Sequence, residues 1–244
     1  VNQYLVGIDC GGTFTDLIAV EAGSGRIFVT KVPSTPSDPS QAVVAALDEL
    51  FAAGIAPDDV QLVAHGTTVA TNTMLEGKGV RAGLLITRGF RAIYEARGWI
   101  RPDSVRALLD PFFQKPPMLV PQRLTCEISE RVDSEGKVLT PLDEAEVRAA
   151  VRKLRDRGVV SMAVCYLFSF LNPDHEERTA AIIAEEAPEI RVSLSARVLP
   201  AIREYPRLST TVVDAYVGPV IERYLLELGA RLKRRGVTTP QVYL

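Results

Sequence analysis

The chain has 244 residues, enough for one large domain or one domain and part of another, and its 47% hydrophobic content suits a buried core. A net charge of −2 provides no basic field for a phosphate backbone, which argues against nucleic acid as a partner. Three widely spaced cysteines, Cys10, Cys126 and Cys165, with no signal-like or membrane-length apolar run, predict a cytoplasmic protein with no membrane partner.

The first predicted element is a hairpin. Tyr4 to Ile8 reads as a strand, Asp9-Cys10-Gly11-Gly12-Thr13-Phe14-Thr15-Asp16 as its polar tip, and Leu17 to Val20 as the returning strand. Gly11 and Gly12 bare their backbone N–H groups, Thr13 and Thr15 add hydroxyls, and Asp9 and Asp16 add carboxylates, which is an inventory for holding a phosphate and its Mg2+. Asp, Gly and Thr are also ordinary turn residues, so the plain turn stays open at this point. Cys10 reads either as a small side chain facing away from the loop or as a reactive thiol.

Arg26 to Val32 reads as a third strand. A loop follows from Pro33 to Pro39, then a helix capped by Ser37 or Asp38 with the apolar stripe Ala42, Val43, Ala46, Leu47 and Leu50. Val60 to Ala64 is a predicted strand, and at its exit stands His65-Gly66-Thr67-Thr68-Val69-Ala70-Thr71-Asn72, which enters a helix ending near Gly77. His65 reads as a functional group or as a strand-end imidazole bonded to a loop. Val80 to Thr87 is the next strand, so the order is three strands, helix, strand, helix, strand.

Residues 88–140 are irregular, broken by Pro111, Pro116, Pro117 and Pro121, with a hairpin expected to turn at Asp133-Ser134-Glu135-Gly136. They read as an insertion. Helices are then expected from Thr140-Pro141-Leu142-Asp143 to Arg157 and from Asn172-Pro173 to Ala187, with strands over Val159 to Phe168 and Ile190 to Leu194. Ser209 to Arg235 reads as a long helix interrupted at Gly218-Pro219 and closed by Arg231, Lys233, Arg234 and Arg235, charges that suit a helix C-terminus. His175, beside Asp174 and Glu176 at a helix start, reads as surface. With two histidines in the chain, a His-rich metal site is not expected. Val1 in place of Met and the apolar ending Val242-Tyr243-Leu244 lead to the expectation of a fragment whose missing piece is a second lobe.

Several ordered blocks resemble the amino-terminal region of the hydantoinase A / 5-oxoprolinase family, which includes subunits of acetone and acetophenone carboxylases. They are Gly7 to Asp16, Lys31 to Pro36, His65 to Asn72, Thr87-Arg88-Gly89-Phe90-Arg91, and Pro200-Ala201-Ile202-Arg203-Glu204-Tyr205. The resemblance implies an α/β lobe of the actin, sugar kinase, heat-shock ATPase (ribonuclease H-like) class, with a mixed sheet and an inserted irregular substrate region. It implies an ATPase-like lobe over residues 1–198, with 88–140 inserted, and the truncated start of the following domain over 199–244. On this resemblance Gly11, Gly12, Thr13, Thr15 and Asp16 would cradle ATP phosphates and Asp9 would hold Mg2+. His65, Thr67, Thr68 and Asn72 would face the cleft as catalytic groups.

The chain departs from the family pattern at Ala92, over Ala96 to Pro102, and at Pro206 and Asp214. Arg88, Arg97, Trp99 and Arg101 are therefore substrate candidates, against the alternative of a packed surface hairpin. The implied activity is ATP-dependent opening of a cyclic amide or imide of hydantoin or 5-oxoproline type by phosphorylation of the carbonyl oxygen. The ATP-using subunit of a ketone carboxylase and a non-catalytic nucleotide-binding module are the alternatives. A hydantoinase B-type partner subunit or domain and homo-oligomerisation are further expectations.

Overall fold

The strand β1 (Tyr4–Cys10) buries every second side chain, Tyr4, Val6, Ile8 and Cys10, and its other face stays open to solvent. This pattern is seen in a computed structural model describing residues 3–35, 38–96, 117–239 and 241–243. β1 turns through Gly11 into β2 (Phe14–Glu21) and then β3 (Ile27–Pro33), an antiparallel meander. α1 (Pro39–Ala52) follows with Pro39 at its start, and its predicted stripe is buried against the meander. β4 (Val60–Thr67) returns parallel to β1, and α2 (Val69–Leu75) leaves from its end. A short strand at the far end of the chain, Gln241–Tyr243, lies parallel to β4; as the eleventh strand it is β11, and the sheet order is β11-β4-β1-β2-β3. This is the mixed sheet expected from the resemblance.

The chain forms two compact units, Val1–Lys78 with Val220–Leu244, and Gly79–Pro219. The second is built on β5 (Ala82–Thr87), α3 (Arg91–Ala96), β6 (Thr125–Ile128), a hairpin of β7 (Arg131–Val132) and β8 (Val138–Thr140), α4 (Glu144–Asp156), β9 (Ser161–Cys165), α5 (Asp174–Glu186), β10 (Arg191–Leu194) and α6 (Ser195–Val198). Its four-stranded sheet, β10-β9-β5-β6, is wholly parallel. β5 and β9 are buried along their whole length, as strands covered on both faces must be. The last helix, α7 (Glu204–Arg234), gives its residues up to Pro219 to this unit and those from Val220 onward to the first.

Four expectations need correction. The stretch 88–140 is more than an insertion, because β6 pairs with β5 inside the second sheet. The predicted turn does form there, with Asp133 accepting from the N–H groups of Glu135 and Lys137. No unit boundary falls at 198/199, since Leu208, Val212 and Ala215 belong to the core of the second unit. α7 starts earlier than predicted, at Glu204, and runs unbroken through Pro219. His175 is not a surface group: its side chain is 11% exposed and its Nδ1 lies 2.8 Å from the buried carboxylate of Glu130.

Beside it Glu176, wholly buried, accepts from the backbone N–H groups of Tyr166 and Ala196 and from the Ser195 hydroxyl. Arg207 is equally buried and donates to the Tyr166 carbonyl. No helix among the described residues is long and apolar enough to cross a membrane.

Candidate active site

Strand alternation divides the predicted site into two faces. β4 runs further than expected, so His65, Gly66 and Thr67 pair in parallel register with Ile8, Asp9 and Cys10. Ile8, Cys10, Thr15 and His65 point to the helix side and are buried, while Asp9, Asp16 and Gly66 lie on the open side.

On the open side the Asp9 carboxylate lies across Gly66. A Cβ at Gly66 would stand 3.0 Å from Asp9 Oδ1, so the glycine makes room for the acid. Asp9 is exposed and takes no hydrogen bond or ion pair among the described residues. Its cross-strand neighbour Asp16 is held by Lys31, Oδ1 to Nζ 3.0 Å.

At the hairpin tip Gly11 spends its own N–H on the Phe14 carbonyl, 3.1 Å away, and closes the turn. A Cβ at Gly12 would meet nothing within 4 Å, so no neighbour in the protein requires glycine there and its backbone is open to an incoming group. Thr13 is exposed beside it. Thr15 is fully buried beneath the loop, with its hydroxyl 3.3 Å from Cys10 Sγ and 2.9 Å from Ser34 Oγ. Ser34, just past the end of β3, braces the tip by donating to the Gly11 carbonyl at 2.7 Å.

Bare backbone at Gly12, three residues along the chain from an unpaired carboxylate, suits a phosphate with its Mg2+. Among the described residues no three metal-ligating side chains come together, so a metal would rest on Asp9, water and phosphate oxygens, the usual mode for Mg2+.

On the helix side His65 is 3% exposed, and its Nε2 lies 2.5 Å from the hydroxyl of Tyr224 on α7. Burial holds the imidazole below its ordinary value; the Ile8 backbone and the Asp9 charge only partly offset this. Nδ1 has no hydrogen-bond partner of ordinary geometry. Burial pushes the Tyr224 phenol up to about 12. Thr68 donates to the Cys10 carbonyl at 3.4 Å, and Asn72 Nδ2 donates to Thr68 Oγ1 at 3.1 Å. Thr67 accepts from the Val69 N–H at the start of α2.

Of these groups Thr68, Asn72 and Tyr224 border a cavity of about 530 Å³ inside the first unit, and His65 and Thr67 are not among its lining residues. The tip residues Cys10, Gly11 and Gly12 form one wall, Thr68 and Asn72 another, and α7 supplies Arg223, Tyr224 and Glu227. The sequence reading missed Ser34, Tyr224, Arg223 and Glu227 as members of the site. For the α7 residues the only local signal was a polar face on a long helix.

Arg88, in the second unit, is engaged by Ser129 Oγ at 2.9 Å and Glu146 Oε1 at 2.6 Å. Arg97, Trp99 and Arg101 lie outside the described residues.

Comparison with known proteins decides the family. The family described as the hydantoinase/oxoprolinase N-terminal region matches residues 5–187. The chain belongs to this family.

It is 38% identical over 247 residues to the caprolactamase subunit alpha of Pseudomonas jessenii, covering 99% of this chain and 35% of that one. The crystal structure of the ATP-dependent caprolactamase from that organism superposes with a TM-score of 0.87 at 37% identity, over 98% of this chain and 35% of that one. The 5-oxoprolinase 1 of Arabidopsis thaliana is 32% identical, covering 89% of this chain and 19% of the relative. A nucleotide-free acetone carboxylase, from work on ATP-dependent acetone carboxylation, superposes with a TM-score of 0.84 at 28% identity, over 97% of this chain and 35% of that one. This chain thus spans about a third or less of each of these relatives.

Proposed function

We propose that this chain is the phosphate-gripping part of an ATP-dependent enzyme that opens a cyclic amide or imide. The observation that carries the reading is the unpaired Asp9 carboxylate, laid over Gly66 on the strand that leads three residues on into the open backbone of Gly12. Similarity to an ATP-dependent caprolactamase and to 5-oxoprolinases supports the choice of chemistry.

An amide is resonance-stabilised, and ATP with Mg2+ would supply a phosphoryl group to its oxygen that ends this resonance, so that water adds at the carbonyl carbon, the C–N bond breaks with the nitrogen taking up a proton, and phosphate leaves as the acyl phosphate is hydrolysed. The N–H groups of Gly12 and Thr13 and the Thr13 hydroxyl would hold phosphate oxygens, and Asp9 would hold the metal. Asp16, tied to Lys31, would keep the open end of the hairpin acidic without being a ligand itself. Thr15 and Ser34 would fix the tip from beneath. On the helix side Thr68 and Asn72 would line the acceptor's place, with Thr67 shaping the start of α2. His65, buried and held neutral, would position Tyr224 instead of carrying a proton itself. A partner subunit of hydantoinase B type belongs to the same reading, since the caprolactamase relative is described as a subunit.

The test is Asp9→Asn in the complete polypeptide. Cyclic-amide-dependent ATP hydrolysis should be abolished with the circular dichroism spectrum unchanged. Near-normal turnover would overturn the phosphate assignment.

The similarity to acetone carboxylase supports a second reading, an ATP-using subunit acting on a ketone. Product analysis separates the two: ring opening without bicarbonate supports the hydrolase, and a carboxylated product formed only with bicarbonate supports the carboxylase.

A further inference from the structure

Resting on the reading just given, we propose that the helix-side cavity of the first unit binds the amide itself. Arg223 and Glu227 would read the N–H and C=O edge of a ring amide that carries a free N–H.

Three observations carry this. The first is position. Asp9 and Cys10 are consecutive residues of β1 and face opposite sides of the sheet, so the cavity opens behind the same tip whose front carries Asp9. Cys10, Gly11 and Gly12 line its wall, which brings an occupant to the backbone on which a phosphate would rest. A volume of about 530 Å³ is ample for a small ring.

The second is charge. Asp38 is taken by Arg231 at 2.5 Å, and Glu76 by Lys78 at 2.6 Å. The cavity therefore holds no surplus of positive charge with which to take a polyphosphate, and suits an uncharged occupant. Arg223 and Glu227 remain. They stand one turn apart on α7, and neither forms an ion pair within 4 Å with any described residue.

The third is chemistry. A small ring locks its amide cis, so that one N–H and one C=O lie side by side on one edge. Guanidinium only donates and carboxylate only accepts, so Arg223 and Glu227 together match that edge group for group. A ketone or a lactone offers acceptors alone and would leave Glu227 without a donor.

The experiment is calorimetric binding to the complete polypeptide, in the presence of ATP's non-hydrolysable analogue, of a small lactam and of the lactone of the same ring. Binding is scored directly, so a variant without turnover is still informative. A hydrogen bond to a charged group is worth roughly tenfold in affinity, so the native protein should prefer the lactam by about that factor. Glu227→Ala should bring the two ligands to within about twofold by weakening the lactam alone, while Glu227→Gln, which keeps an acceptor oxygen, should retain most of the preference. Arg223→Ala should weaken both ligands.

Lactam-dependent ATP turnover together with a lactam-to-lactone ratio unmoved by Glu227→Ala would overturn this inference and leave the proposed function standing. No lactam-dependent turnover in the native protein would overturn the reading on which it rests.

Discussion

His65 shows how a side chain legible in the sequence can take on a different task in the fold. Its block was recognisable as polar groups at a strand exit, but alternation along β4 turns the ring inward, where Tyr224 meets it. Nothing local to residue 65 announces a partner 159 positions away.

The pH consequence follows from burial. The folded imidazole titrates below the ordinary value of 6.5, so the folded state binds fewer protons than the unfolded state across that window. Stability is full above about 6.5 and is lost as pH falls from there through the folded value. Denaturant midpoints measured from pH 8 down to pH 5 should fall, and His65→Asn should flatten that slope. Glu176 acts with the opposite sign: burial raises its carboxyl above 4.5, so its contribution is full at low pH and is lost as pH rises through the folded value. Tyr224→Phe leaves the buried His65 Nε2 without its partner and should cost about 1–3 kcal/mol by chemical denaturation.

Elements were legible where local chemistry decides them. Ahead of α4, Thr140-Pro141-Leu142-Asp143 signalled a helix start, and Asp143 accepts from the Glu146 N–H at 2.9 Å. The reciprocal half of a capping box is not made, because the Glu146 carboxylate is taken by Arg88 and the Ser129 N–H. Asp143→Ala should therefore cost about 1 kcal/mol, read as a lowered denaturation midpoint. Gly218-Pro219 misled the reading because glycine there serves packing instead of ending the helix. A Cβ at Gly218 would stand 2.6 Å from the Arg191 guanidinium carbon. Gly79 is tighter still: a Cβ would fall 2.1 Å from the Tyr216 ring, and Gly79→Ala should destabilise the second unit by about 1–3 kcal/mol through overpacking.

At the scale of the molecule, the family resemblance implied the class of fold and the strand and helix order agreed with it, but neither could give the return of the chain to its first unit at Val220. Periodicity reports which face of a segment is buried and carries no address for what buries it. The site inherits this limit. Asp9, Gly12, Thr68 and Asn72 were readable from one end of the chain, whereas the α7 wall of the cavity was not.

The open side of the first sheet carries Leu5, Ile18, Ile27, Val29 and Tyr243, all exposed. That is more contiguous apolar surface than an isolated sheet leaves bare without consequence. The 244-residue chain by itself should enhance the fluorescence of an apolar dye, and Val29→Lys should reduce the signal with a stability change of about 0.5 kcal/mol or less.

The discontinuity of the first unit also bears on synthesis. A ribosome delivers Gly79–Pro219 in one uninterrupted stretch, so the second unit can fold while the first still lacks α7 beyond Pro219 and β11. Until that last stretch emerges, β4 is a bare edge and His65 has no phenol to meet. The nascent first unit therefore keeps an open strand edge until then, and the α7 side of the cavity is put in place after the walls formed by the hairpin tip and α2.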